Sequence, residues 1–379
     1  MEMKRRDFLK GAATVAGTAL VVPGLISGCR MKADAFSLSP GADAMDEALA
    51  RMSKLPPLGN HGPMAVEALI ALGRPDRTIP FIDKYKGRFR ASQSSPVESI
   101  NEKNWQAALG RGDRNLDWTR FFAAALIESD WKQVLEKWTA VLAPGLCAAA
   151  GHGVIRTCHA ARSLSIKQTP LRRHELAEGL GYWAAYYQRL PETGAAGGKA
   201  RPLQAIEKVP LLPNEKRLGG SIMNQLTALD GFPDFAKVMP MVDTEGNAGA
   251  SLSELTEAFA GVYLKNINGR NDLILLHAVT VAAGLRSLLP YLTPATTQKT
   301  LAYGWQAAAG LFSIGASRKA NDPPKDEPIK IEDLVERAAQ SNEEHAIKFT
   351  EACLREYSFN PKQVYLQAAH EGLRRLPSF

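Results

Sequence analysis

Apolar residues recur along this chain at intervals of three and four, and that spacing predicts helices almost throughout. Met45, Leu49 and Met52 share one face of a segment that opens near Asp43. Pro56-Pro57-Leu58-Gly59 breaks it, and a second segment covers residues 60–73, with Pro63 suited to a first helical turn and Gly73 to an end. Residues 76–86 and 101–127 read as further short helices. Residues 130–143 are amphipathic through Val134, Leu135, Trp138 and Leu142, and Pro144-Gly145 stops them. Residues 150–164 follow as a helix whose His152-Gly153 repeats the His61-Gly62 start of the second segment. Thr169-Pro170 opens a helix running to about Leu190, with Leu176, Leu180, Trp183 and Tyr187 on one stripe.

The Gly- and Pro-rich stretch 191–213 is irregular, a long active-site loop or a hinge. Residues 251–267 and 271–290 read as consecutive helices, the second apolar all round, which buries His277. Another apolar helix covers 294–312, a charged, proline-broken loop 321–328, and the last helices 330–357 and 361–376. No alternating run is long enough to predict a sheet. The expectation is an all-α fold, one large helical domain enclosing a buried site.

Composition agrees: 379 residues at 45% hydrophobic content bury a large core. The amino terminus stands apart. Lys4-Arg5-Arg6-Asp7-Phe8-Leu9-Lys10, followed by an apolar small-residue run over 11–27, reads as a twin-arginine export signal carried by Arg5 and Arg6. Ile26-Ser27-Gly28-Cys29 is similar to a lipobox, in which cleavage leaves Cys29 as the lipidated first residue. The run is short for a membrane span and contains Pro23 and several glycines. The division expected is a signal at 1–28, a polar tether at 29–42 and the helical domain at 43–379. The implied location is periplasmic or cell-envelope, on a lipid anchor, after passage through the twin-arginine machinery. That route carries folded proteins, often with prosthetic groups.

Cys147, Cys158 and Cys353 lack the spacing of a disulfide framework, and no CxxC exists to bind zinc or haem. Losing Lys4, Arg5, Arg6 and Lys10 against Glu2 and Asp7 lowers the formal charge from +7 to +5. That excess is small, and no basic run points to nucleic acid.

Candidate chemistry lies in the histidines. Residues 341–351 form a helix in which Asn342 caps, Glu343 and Glu344 favour the positive end of the dipole, and His345 and Lys348 share a face. His61, His152, His159, His277 and His345 all fall in apolar helical or helix-start contexts, whereas His174 reads as a surface residue and His370 as structural. Imidazoles held in a helical core suit iron, copper or zinc. His152 and His159 are two turns apart, about 10 Å along an axis, so one ion takes both only at an irregular helix start. Lys348 is either a solvated partner of Glu344 or a buried lysine carboxylated by carbon dioxide, which would present an anionic oxygen.

The segments Asn60-His61-Gly62-Pro63, His152-Gly153-Val154-Ile155-Arg156 with His159-Ala160, Glu175-Leu176-Ala177 with Tyr182-Trp183, Leu276-His277-Ala278-Val279-Thr280, and Glu344-His345-Ala346-Ile347-Lys348 together resemble the questin oxidase-like proteins of fungal polyketide pathways and their bacterial relatives. The resemblance implies a helical oxidoreductase that cleaves, or inserts oxygen into, an aromatic or quinone ring using dioxygen. It further implies non-haem iron held by His61, His152 or His159, His277 and His345, with carboxylated Lys348 as oxygen ligand. Arg156 would hold an anionic or phenolate oxygen, or serve as a buried ion pair. Tyr182, with Trp183, Tyr186 and Tyr187, would stack on a flat substrate or pack as core, as an aromatic stripe at helical spacing more often does. NAD(P)H, which relatives use in part, has no GxGxxG fingerprint here. The export signal departs from the fungal pattern and leaves the substrate open. Two other readings compete: a helical binding or scaffold lipoprotein with dispersed histidines and an exposed Lys348, and a zinc hydrolase built in the same cage.

Overall fold

The computed structural model describes residues 43–376, apart from 54, 56–59, 89–94, 268, 270 and 317–327. The export signal with Arg5 and Arg6, Cys29, the tether, the Pro56–Gly59 breaker and most of the 321–328 loop lie outside the described residues.

The chain is all-α. Asp43 caps α1 (Ala44–Met52) by accepting from the Met45 and Asp46 amides, and α2 (Gly62–Ala71) carries Pro63 in its first turn. There follow α3 (Thr78–Tyr85), α4 (Trp105–Ala108), α5 (Asn115–Glu128) and α6 (Trp131–Leu142), the last capped by Asp130. Next come α7 (His152–Ile166) and α8 (Pro170–Ala185), the latter capped by Thr169 with Pro170 at its first position. The stretch after it holds only α9 (Pro202–Ala205), α10 (Ile222–Leu226) and 3₁₀ turns, in keeping with its glycines and prolines. Long helices resume with α11 (Ala248–Asn266), α12 (Asp272–Gly284) and α13 (Pro294–Gly315), and the chain finishes on α14 (Ile331–Gln340), α15 (Glu344–Phe359) and α16 (Gln363–Arg375). Among the described residues no strand forms, only two isolated bridges, Leu146 with Gln188 and Ala200 with Val242.

Two expectations are corrected. The helix expected over 271–290 ends at Gly284, and two 3₁₀ turns, Leu285–Ser287 and Leu289–Tyr291, replace its last part; Pro290 has no amide to donate. The helix expected over 330–357 is two, broken at Ser341-Asn342-Glu343, and the cap is Glu343 rather than Asn342. The Ser341 hydroxyl accepts from the Glu343 amide, and the Glu343 carboxylate accepts from that of His345.

Trp118, Phe122, Trp131, Trp138, Trp183 and Trp305 are buried in one core that runs through the long helices. A smaller, separate cluster under α1, α2 and α3 also takes in Leu171 of α8, Ala339 of α14 and Ile347 of α15. Within this packing α7 lies against α2, α8 and α12, and α15 against α2, α12 and α16. The four helices α2, α7, α12 and α15 therefore meet, and with them His61 ahead of α2, His152 on α7, His277 on α12 and His345 on α15.

Candidate metal centre

His61 precedes α2, and its backbone amide donates to the Tyr85 hydroxyl at 2.6 Å. Gly62 is forced to be glycine: a Cβ there would lie 2.4 Å from the Met52 sulfur and 2.9 Å from the Tyr85 ring. His152 opens α7 behind a left-handed turn in which Ala149, Ala150 and Gly151 have φ of 49°, 60° and 88°. That turn aims the Ala149 carbonyl at the ring, and His152 Nδ1–H donates to it at 2.6 Å. His277, 2% exposed, sits mid-way along α12 and donates from Nδ1 to the Leu273 carbonyl one turn back. His345, in the first turn of α15, donates from Nδ1 to the Glu343 carboxylate at 2.6 Å.

Three of the four Nδ1 protons are thus spent on fixed acceptors, which leaves each Nε2 as a lone pair. The rings converge. His61 stacks on His152 with centroids 4.4 Å apart, His152 meets His277 at 4.5 Å, and His345 lies 4.8 Å from His61 and 5.4 Å from His277. Ligand atoms of His61, His152 and His345 all lie within 4.8 Å of one another.

The donor set fits a metal ion on two counts. His152 Nε2 and His277 Nε2 are 2.9 Å apart. With both Nδ1 protons committed, two lone pairs face each other, and only a cation between them makes that favourable. Two imidazole nitrogens about 2.0–2.1 Å from one ion and at roughly right angles sit about 3 Å apart. A proton is the poorer candidate. Burial, then the neighbouring histidines and Lys348, hold His61 and His152 well below their ordinary range, and burial first pushes His277 and His345 down to about 3. The second count is His61 Nδ1, buried with no hydrogen bond and 3.6 Å from a Glu344 oxygen.

Lys348, one turn beyond His345, is 3% exposed, which corrects the reading of a solvated lysine. Burial lowers it to about 8, against the pull of Glu344 and Glu343. Among the described residues it forms no ion pair. Glu344 is instead engaged by Arg88 at 2.6 Å.

Three expected site residues stand elsewhere. His159 does not join the cluster: two turns beyond His152, its Nδ1 bonds the Glu67 carboxylate at 2.6 Å. Of His152 and His159, only His152 has its ring among those of His61, His277 and His345. Arg156 is held by Glu175 through two bonds of 2.6 and 2.8 Å, with a Glu178 oxygen at 3.4 Å. Its guanidinium is engaged as a buried ion pair, the second of the two roles expected for it. Tyr182 is buried and packs edge-on against Tyr186, while Trp183 is fully buried and donates to the Gly145 carbonyl. Leu176, Leu180 and Trp183 are core, so that aromatic stripe is packing rather than a substrate wall.

Sequence reasoning passed over Glu343 as a ring partner, the Ala149 carbonyl, Tyr85 and Glu67. Glu67 alone left a signal, a carboxylate inside the apolar run Met64-Ala65-Val66-Glu67-Ala68-Leu69.

The sequence model of the questin oxidase-like family matches residues 58–353, a span that holds all four histidines and Lys348, and the chain belongs to that family of oxidoreductases. Among curated proteins none matches it.

Proposed function

We propose that this protein is a non-haem iron oxygenase that acts with dioxygen on an aromatic or quinone-like substrate, its metal held by His61, His152, His277, His345 and carboxylated Lys348. The observation that carries the reading is the pair of unprotonated Nε2 atoms 2.9 Å apart on His152 and His277, flanked by two more histidines and a buried lysine.

The chain prepares the ligands in three ways. Ala149 O, Leu273 O and Glu343 accept the Nδ1 protons and so fix tautomer and ring plane. Burial keeps the imidazoles neutral and ligand-competent at physiological pH. Charge needs more. His61, His152 and His345 sit at helix starts, where the backbone dipole is positive and opposes a dication. Glu343 and Glu344 offset part of this, and carboxylation turns Lys348 from a cation into an anion in the same place. A depressed amine pKa supplies the neutral nucleophile that adding carbon dioxide requires.

Iron, when bound, supplies the redox chemistry toward dioxygen that these side chains lack. His277 and Lys348 are shielded from water, and no group other than the histidines and Lys348 is assigned to the reaction. A reductant such as NAD(P)H has no fingerprint in the chain and would be drawn from outside it. The same proposal takes residues 1–28 as a twin-arginine signal followed by lipidated Cys29, which puts the enzyme in the cell envelope on a lipid anchor.

Metal analysis of protein purified without added metal, beside His345→Ala and Lys348→Ala, tests it. About one iron per chain, lost in both variants, is the expected result. Zinc with no oxygen dependence would replace the oxygenase by a hydrolase, and a metal-free protein unchanged by either substitution would leave a binding lipoprotein.

A further inference from the structure

About two to three turns along from the histidines, a second layer of charge joins three of the four helices that carry them. Arg162 on α7 donates from Nε to Glu67 Oε1 at 2.6 Å and from Nη2 to Glu67 Oε2, which ties α7 to α2. Its remaining nitrogen, Nη1, reaches Glu351 Oε1 on α15 at 2.5 Å. His159 adds its bond to Glu67, and Arg355 lies 3.5 Å from Glu351. Glu67 and Glu351 are each 3% exposed. Each also stands six residues beyond a site histidine, His61 and His345, about 9 Å along its helix.

Simple stabilisation accounts poorly for this layer. Buried ion pairs barely offset their desolvation, and here Glu351 Oε2 is left buried without a hydrogen bond. Nor does Glu351 serve Lys348 three residues earlier: Lys348 feels Glu344 and Glu343, while Glu351 is taken by Arg162 and Arg355. What a planar guanidinium gripping two carboxylates does supply is geometry, because its fixed fork sets both distance and rotation between the elements it joins. Imidazoles at the first turns of α2, α7 and α15 converge only if those helices neither slide nor turn against each other.

We propose that Glu67, Arg162 and Glu351 are positioning residues for the metal centre, a clamp that holds α2, α7 and α15 in the register at which His61, His152 and His345 meet. The inference rests on the metal-site reading above.

The test is anaerobic cobalt(II) titration, followed by its visible absorption bands, of the full chain and of Arg162→Met and Glu67→Gln. Arg114→Met is the control: Arg114, buried more deeply than Arg162, pairs with Asp117 at 2.6 Å at the start of α5, which carries no histidine. The expected result is a cobalt affinity at least tenfold weaker and altered bands in both clamp variants. Arg114→Met, with a comparable fall in Tm, keeps the wild-type affinity within twofold and the same bands. Wild-type affinity and bands in folded Arg162→Met would overturn the clamp, as would an equal loss in Arg114→Met. Should Arg162→Met fail to fold, Arg162→Lys, which keeps the charge and loses the fork, is read by the same criteria. A wild-type chain that takes up no cobalt would sink the metal reading and the clamp together, a result distinct from failure of the clamp alone.

Discussion

A single carboxylate, that of Glu343, both caps α15 and orients the ring of His345, accepting from the backbone amide at 3.3 Å and from Nδ1 at 2.6 Å. The two roles separate by substitution. Glu343→Gln still offers an oxygen to the amide but loses the charge that orients the ring, so metal affinity should fall by about 10–100-fold with little change in Tm. Glu343→Ala removes both, and a further loss of about 1 kcal/mol belongs to the missing cap. Metal titration and urea denaturation of the two variants check it; equal metal affinity in Glu343→Gln and wild type would remove Glu343 from the site.

The left-handed turn before His152 makes opposite predictions at adjacent residues. Gly151→Ala puts a Cβ 2.3 Å from Val281 Cγ2 at a φ of 88°, and should destabilise the fold by at least about 1 kcal/mol. Ala150→Gly relieves an alanine held at φ 60° and should stabilise it, or leave it unchanged against the added freedom of the unfolded chain, within about 1 kcal/mol. Urea denaturation reads both signs.

Lys348→Met should separate stability from function. The substitution replaces a buried amine, unpaired among the described residues, by an apolar side chain of similar length, so the metal-free protein should hold or raise its Tm. Metal binding and turnover should both be lost. Turnover of Lys348→Ala recovered by added formate or acetate would identify the missing group as a carboxylate.

Which parts of this site could be read from sequence follows from the range of the forces involved. Helix starts such as Asp43, Asp130 and Thr169-Pro170 are set by neighbours within four residues, and the structure keeps them. His277 was legible as buried because α12 is apolar on every side. The break at Ser341-Asn342-Glu343 was legible only in part: Asn342 offered a cap, but helical periodicity continues across it, and it is the Ser341 and Glu343 side chains, accepting from backbone amides, that mark the start of the next helix. The roles of Arg156 and His159 stayed open for a different reason. Their roles depend on Glu175, 19 residues on, and Glu67, 92 residues back. Spacing along one helix shows what a residue lies beside, and not which distant carboxylate takes it.

Acidification should weaken the clamp. Burial alone would raise the Glu67 carboxyl, but Arg162 and the bonds from His159 and Arg162 outweigh it and hold Glu67 at about 2; Glu351 is lowered likewise against its burial by Arg162 and Arg355. A carboxylate with a folded pKa below its ordinary 4.5 gives stability that is complete above that value and disappears as pH falls toward about 2. Urea denaturation should therefore show a stability that falls gently below about pH 6.5, where histidines charge in the unfolded chain while the buried imidazoles stay neutral, and more steeply below about 5, where the carboxylates add to it. In Glu67→Gln the stability at neutral pH should be lower and the fall shallower, since the protonation that unfolds the wild type has one fewer site to act on. A Glu67→Gln curve parallel to the wild type across the acid range would show that this carboxylate does not stay ionised in the fold, and would take from Arg162 the partner that joins α7 to α2.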